Sequence, residues 1–419
     1  MVGKPAVAAA VTVMRVLFVV PYVPSRIRVR PFELIRALAR LGHRLHLVML
    51  RPPEDAWAPD APLRDVCERV DEFPLSRSRT LANAGLAIVG HEPLQAAYSR
   101  HAGASGHLAA LLASEAFDVL HVEHLRGVTL IEGLEGIPIV FDAVDSIAHL
   151  FEQTARSAAR WQQRLTARLD LRRTERFEAR VPYRFPRMLV TSPVDKDAFV
   201  QLAGPASEAR IDVLPNGVDW AYFAPGSAAR EPATVIFTGK MSYHANEAAA
   251  LELAQRVMPE VWARQPEARL IIAGKDPSAG LRALATDTRI EVTGFVDDLR
   301  PLFARATVAV SPMVYGAGIQ NKVLEARASG VPVVTSLQVC ASLAAEPGHD
   351  LLVGATPAEM AQHALRVFEE PGLARRLGES GLGYVRRCHD WTAVGRRLTG
   401  VYDEARADRA RQPAEQASP

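Results

Sequence analysis

Residues 312–335 read PMVYGAGIQNKVLEARASGVPVVT, and the fold is decided by this stretch. A glycine-broken loop, Tyr315-Gly316-Ala317-Gly318, leads into a short helix running through Ala326. Gly330 stops that helix, Pro332 prevents it from resuming, and residues 331–335 re-enter a strand. Lys322 and Glu325 are three residues apart and share one helix face. The loop directs free backbone N–H groups toward the helix N-terminus, where the dipole favours an anion. A cation and a carboxylate beside such an anion hole suit a nucleotide diphosphate. The N–H groups and Lys322 would hold phosphates, and Glu325 would accept both ribose hydroxyls. An ordinary βα turn with a surface Lys–Glu pair has the same spacing.

Working outward, the same strand–helix rhythm fills the chain. Residues 15–20 form a continuous apolar run, as expected of a parallel strand covered on both faces. A loop with Pro21, Pro24 and Pro31 follows, then a helix with Leu34, Ile35, Leu38 and Leu41 on one side, and a second strand at residues 45–50. The first loop carries Arg26, Arg28 and Arg30 and faces the carboxyl end of the sheet, where open α/β folds bind ligands. Further strands are predicted at 119–122, 138–141 and 188–191. The polar segment PGSAAREPAT separates a first domain from a second. The rhythm then restarts with strands at 235–238, 269–273, 290–293 and 307–311. Thr356-Pro357-Ala358-Glu359 opens a helix as a capping box, and a last helix runs from Trp391 to about Ala405. The tail after it is too polar and proline-broken to pack.

Composition excludes several classes. The chain has 419 residues, enough for two cores of ordinary size. A net charge of +2 gives no reason to expect a nucleic-acid partner. Three scattered cysteines argue against a disulfide framework and fit a cytoplasmic setting. No run of apolar residues is long enough to cross a membrane. Met14 is the expected natural start, with residues 1–13 and 406–419 disordered. Residues 151–184 hold eight arginines between Arg156 and Arg180 and read as one long helix. That helix is either a solvated, salt-bridged face or a basic face resting on an anionic membrane.

The opening stretch resembles the donor-site signature of retaining glycosyltransferases with the GT-B fold, in sequence family 4 (glycosyl transferases group 1). Gly316, Gly318, Lys322, Glu325, Ala326, Ala328, Gly330, Pro332, Val333 and Val334 match G-x-G-x-x-x-K-x-x-E-A-x-A-x-G-x-P-V-V. Many relatives have a second glutamate where this chain has Ala317. The resemblance implies two Rossmann-like domains, 14–215 on the acceptor side and 216–390 on the donor side. A crossover helix, 391–405, would return to the first domain. It also implies transfer of a sugar from a nucleotide-diphosphate sugar to a glycan or lipid-linked acceptor, of the exopolysaccharide or cell-surface glycan type.

On that reading the donor contacts are Gly239, Lys240, Gly294, Phe295, Val296, Gly316, Ala317, Gly318, Ile319, Gln320, Asn321, Lys322 and Glu325. Lys240 and Lys322 would neutralise the departing diphosphate, so that no metal and no cofactor is needed. Asn246 stands where relatives often have a second lysine. In the first domain Asp142 stands near the place of a family histidine and is a catalytic candidate with Asp145, or else caps the next helix. Arg26, Arg28, Glu123 and His124 would form the acceptor side. A GT-B-type nucleotide-sugar epimerase and a non-catalytic nucleotide-binding descendant are the alternatives from other classes.

Overall fold

The computed structural model describes residues 12–415 apart from 56–60, 90–91, 158–160, 227–228, 314 and 317. Two parallel sheets follow one another along the chain. The first contains β1 (Arg15–Val20), β2 (Arg44–Arg51), β3 (Arg69–Pro74), β4 (Val119–Glu123), β5 (Ile139–Val144), β6 (Arg187–Val190) and β7 (Ile211–Val213). Their spatial order is β3-β2-β1-β4-β5-β6-β7. The second contains β8 (Thr234–Thr238), β9 (Arg269–Ala273), β10 (Ile290–Gly294), β11 (Val308–Ser311), β12 (Val333–Thr335) and β13 (Leu352–Val353), in the order β10-β9-β8-β11-β12-β13. Strands such as β1 are buried on both faces, which is why they read as unbroken apolar runs. The edge strand β3, RVDEFP, lacks that run and escaped the sequence reading.

In each sheet the strand order reverses once, at β1/β4 in the first and at β8/β11 in the second. Loops leaving neighbouring strands diverge at such a point and open a crevice at the carboxyl ends of the strands. The two crevices meet each other in this structure.

The arginine-rich segment is not one helix. It forms a hairpin of two helices, Ile147–Ser157 and Trp161–Glu178. They run antiparallel, because Glu178 at the end of the second accepts the N–H groups of Ile147 and Ala148 at the start of the first. At the other end of the chain the last helix spans Trp391–Glu415, beyond the expected stop near Ala405. Its polar tail is held by charge, with Arg187 bridging Glu404 and Asp408 at 3.1 Å each and Arg406 reaching Asp118 at 3.3 Å. This helix lies on the first domain. Gly395 permits the approach, since a Cβ there would sit 3.0 Å from that of Ala37, and the Tyr402 hydroxyl meets His121 at 2.9 Å. Residues 1–11, most of the segment expected to be disordered at the N-terminus, lie outside the described residues.

Candidate functional site

On the second-domain side, Gly239 and Lys240 leave β8 and residues 312–320 leave β11, the two strands of the switch point. Gly239 is pressed against Gly274, where an added Cβ would lie 1.8 Å from the Gly239 carbonyl oxygen. The helix Asn321–Ala328 starts without a side-chain cap, so its first N–H groups have no side-chain acceptor of their own helix. Lys322 turns back across this end. Its ammonium donates to Asn246 Oδ1 at 2.8 Å and Gln320 Oε1 at 2.9 Å, and lies 5.3 Å from the centre of the Phe237 ring. Loss of water lowers its pKa to about 8, against the attraction of Glu325. Burial raises Glu325 to about 7, opposed by Lys322. As whole residues both are half-buried. Lys240 is exposed. Gly294 ends β10 with φ +70°, and Phe295 after it is 61% exposed, beside half-buried Val296. Ile319 is buried. Ala317 lies outside the described residues.

The first-domain wall is made of carboxylates. At the end of β4, Glu123 accepts from the Tyr22 hydroxyl, and burial, then the Asp142 charge, raises it to about 8. His124 holds φ +65°, an uncommon backbone for a histidine, and burial with Arg126 and Arg28 lowers its pKa to about 3. Arg28 lies over the Tyr22 ring and pairs with Asp55 at 3.0 Å, whereas Arg26 is exposed. At the end of β5, Val144 holds φ +68°, strained for a β-branched residue, and Asp145 accepts from Thr191 Oγ1 at 3.1 Å. Burial, then the charge of Asp195, raises Asp145 to about 7.

Asp142 corrects the sequence reading. It has no exposed surface, and its carboxylate is bound by Arg30 Nε at 2.8 Å and by the Val144 N–H at 3.1 Å. It caps no helix and has no surface for a substrate. Its burial raises its pKa while Arg30 opposes the shift. Asp142 therefore orients Arg30, which donates in turn to Leu214 O and Asn216 Oδ1.

The two walls touch. Gly318 has φ +66°, and a Cβ added there would lie 2.0 Å from Asp145 Oδ1 and 3.0 Å from Thr191 Oγ1. The Gly316 N–H, expected to be free, donates to Gln153 Oε1 at 2.9 Å. Gln338 Nε2 joins Gln153 Oε1 to the Gly316 carbonyl at 2.7 Å each. Asn216 Nδ2 donates to Asn321 Oδ1 at 3.0 Å, so one amide links Arg30 of the first domain to the helix Asn321–Ala328 of the second. Sequence reasoning missed Gln153, Gln338 and the bridging role of Asn216. Gln153 and Gln338 carry no motif.

Away from the cleft, His46, Asp71 and His107 bring ligand atoms within 4.8 Å of one another, the one such metal-compatible group among the described residues. Hydrogen bonds account for it. Both imidazole Nε2 atoms meet Asp71 Oδ2, at 2.8 and 2.7 Å, and Arg69 holds the other carboxylate oxygen at 2.9 Å.

Two family models match the chain: "Glycosyltransferase Family 4" over residues 29–222 and "Glycosyl transferases group 1" over residues 232–370. The chain is 26% identical over 234 residues to a GDP-mannose:cellobiosyl-diphosphopolyprenol alpha-mannosyltransferase of Xanthomonas oryzae pv. oryzae, 53% of this chain and 59% of that protein. It thus spans little more than half the length of that relative. A match of 25% over 395 residues links it to the MMP alpha-(1->4)-mannosyltransferase of Mycolicibacterium hassiacum, 89% of this chain and 93% of the other. Among solved structures, sucrose-phosphate synthase of Thermosynechococcus elongatus superposes with a TM-score of 0.69 at 17% identity, covering 94% of this chain and all of that one. HepE of Anabaena in complex with UDP and glucose gives 0.65 at 14%, covering 93% and 99%. These two likenesses speak for the GT-B fold.

Proposed function

Because this chain belongs to glycosyltransferase family 4, we propose that it moves a sugar from a nucleotide-diphosphate sugar to a glycan or lipid-linked acceptor, with retention at the anomeric carbon. The observation that carries the reading is the placement of Lys322 and Glu325. They stand one helical turn apart at the second-domain switch point, on the helix that follows the Gly318 loop, and that loop meets Asp145 of the first domain.

In this reading the diphosphate lies over the uncapped helix start, against Lys322, Lys240 and the loop N–H groups, with Glu325 accepting the ribose hydroxyls. The bond between the anomeric carbon and the phosphate oxygen breaks, and its electron pair stays on the diphosphate. The two lysines stabilise that charge as it forms. The acceptor hydroxyl enters on the face the phosphate leaves and passes its proton to the departing phosphate oxygen. Asp145, the carboxylate nearest the glycine loop, would stabilise positive charge developing on the sugar once ionised. Arg30 and Asp142 hold the floor beneath it. A relative's name specifies GDP-mannose, which makes it the first donor to test, with UDP-glucose second. With a lipid-linked acceptor, this reading would have the protein work in the cytoplasm, peripheral at the inner face of the membrane. No described helix is long and apolar enough to cross one.

Calorimetric titration with GDP, UDP and ADP is expected to find one nucleotide bound in the micromolar range. Glu325→Ala should weaken it by one to two orders of magnitude, as for hydrogen bonds to a charged group, worth about 1.5–3 kcal/mol. Unchanged affinity would remove Glu325 from the ribose. Incubating the donor and assigning the product anomer by NMR tests retention; an epimerised donor would instead mark an isomerase.

A further inference from the structure

The helical hairpin rooted at β5 takes little part in the chemistry above. Its second helix, Trp161–Glu178, buries Ala167, Asp170, Thr174 and Glu178 on one side. The opposite side faces solvent with Trp161 66%, Leu165 48% and Leu169 66% exposed. Arg168, Arg172 and Arg176 are exposed as well. At 3.6 residues per turn these six side chains fall within an arc of about 100°. Two of the three acids of the helix turn away from this face, Asp170 to the Leu94 N–H and Glu178 to Ser146; the third, Glu175, is half-buried at its edge, one carboxylate beside three arginines. Among the described residues no carboxylate pairs with Arg168, Arg172 or Arg176.

An exposed row of Trp and Leu alongside a row of arginines has a specific physical complement. Large apolar side chains gain by entering the boundary between headgroups and acyl chains, where tryptophan is favoured. Guanidinium groups on the same face gain from anionic lipid phosphates. The placement adds a second argument. The first helix of the hairpin starts just after Asp145, and its Gln153 reaches the glycine loop. The apolar and cationic face therefore projects from the acceptor wall of the cleft.

We propose that the exposed face of Trp161–Glu178 docks on an anionic lipid bilayer, with Trp161, Leu165 and Leu169 inserted and Arg168, Arg172 and Arg176 on the phosphates. Resting on the lipid-linked acceptor proposed above, the contact would hold the first-domain wall over the membrane surface.

The test uses the full chain with two vesicle compositions, phosphatidylcholine alone and phosphatidylcholine with a quarter phosphatidylglycerol. Sedimentation should show binding to the anionic vesicles only, weakening steeply with salt because such attraction is screened over about 8 Å at physiological ionic strength. Arg168→Gln, Arg172→Gln and Arg176→Gln combined should weaken binding roughly a hundred-fold, from about 1 kcal/mol per basic residue. Trp161→Ser with Leu165→Ser and Leu169→Ser should abolish the blue shift of tryptophan emission on binding. All six positions are solvent-exposed, so thermal melting should stay native. Equal binding to both vesicles, no binding, or native binding by both variants would overturn the proposal. So would an apolar variant that changes only the sedimentation mass, which would make the face a self-association surface. Nucleotide affinity, measured alongside, should be untouched by either variant. If the native protein binds no nucleotide, the glycosyltransferase reading fails and the vesicle result still stands or falls alone.

Discussion

The two walls of the cleft divide charge between them. The second-domain wall is backbone, glycine and lysine, most of it within residues 312–325 and one neighbouring turn. The first-domain wall gathers Glu123, Asp142, Asp145, Glu178 and Asp195 from four segments, every one raised by burial. A site that splits a sugar from a diphosphate must stabilise negative charge on one side and positive charge on the other. The cationic wall is ready at neutral pH. Burial raises the pKa of each carboxylate in the other wall, and a cationic sugar beside Asp145 would favour its ionised form.

The contact between the walls is the place to break this arrangement with the largest effect. Gly318→Val places a β-branched side chain at φ +66° and against Asp145 Oδ1. Transfer activity should fall by at least about a thousand-fold, the scale of losing preorganised donors at a reacting charge. The Tm should drop by only a few degrees, because the loop packs at a cleft rather than in a core. A variant with more than a tenth of native activity would show that the loop backbone need not approach Asp145.

Arg30 tests whether the carboxylate wall needs its support. Arg30→Met leaves Asp142 buried without its partner, a change that costs about 3–5 kcal/mol when a buried pair is broken from one side. At roughly 2–4 °C per kcal/mol for a domain of this size, the Tm should fall by about 10 °C. Asp142→Asn should cost less and keep measurable transfer, since Asp142 does not reach the substrate. Loss of all activity with native Tm in Asp142→Asn would restore it as a catalytic group.

The same contrast explains what the sequence could reveal. Parallel strands announce themselves by unbroken apolar runs such as residues 15–20, and the edge strands β3, which is polar, and β13, which is two residues long, passed unseen. The second-domain wall was readable because its geometry is local: one loop and one helical turn bring Gly318, Lys322 and Glu325 together. The acceptor wall is not local. Nothing near Asp142 in the sequence says that Arg30 will bury it, and nothing near Gln153 says that it will meet Gly316. The hairpin was misread for a related reason. Helical spacing persists on both sides of residues 158–160, and the fold-back shows in long-range contacts such as that of Glu178 with Ile147.

Titration offers a smaller, finer probe of the cationic wall. Lys322 has its pKa lowered to about 8, so raising the pH through 8 removes its charge in the free protein. The diphosphate prefers the protonated form. Nucleotide affinity should therefore fall above pH 8, by up to about tenfold per pH unit. Glu325, raised to about 7, loses its charge as the pH falls through 7, and with it the stronger ribose contact. Affinity should peak between these values. A flat profile from pH 6 to 9 would mean that neither group meets the nucleotide.

Asn246 gives the smallest and most discriminating test, because it stands where relatives often carry a lysine. Its Oδ1 accepts from Lys322 at 2.8 Å, and its Nδ2 donates to the Lys240 carbonyl at 3.0 Å, so one amide orients both cationic residues. Asn246→Ala should weaken nucleotide binding only about three- to tenfold, since Gln320 still holds Lys322. Asn246→Asp keeps the shape and adds a negative charge beside the ammonium. That charge stabilises the protonated lysine, so the alkaline fall in affinity should move to higher pH. It also repels the diphosphate, so affinity at pH 7 should drop. The two effects have opposite consequences above pH 8, where the variant should lose less affinity per pH unit than the native protein. Measuring affinity at pH 7, 8 and 9 separates them. If the alkaline limb does not move, Lys322 is not the group that titrates, and the charge that holds the diphosphate lies on Lys240.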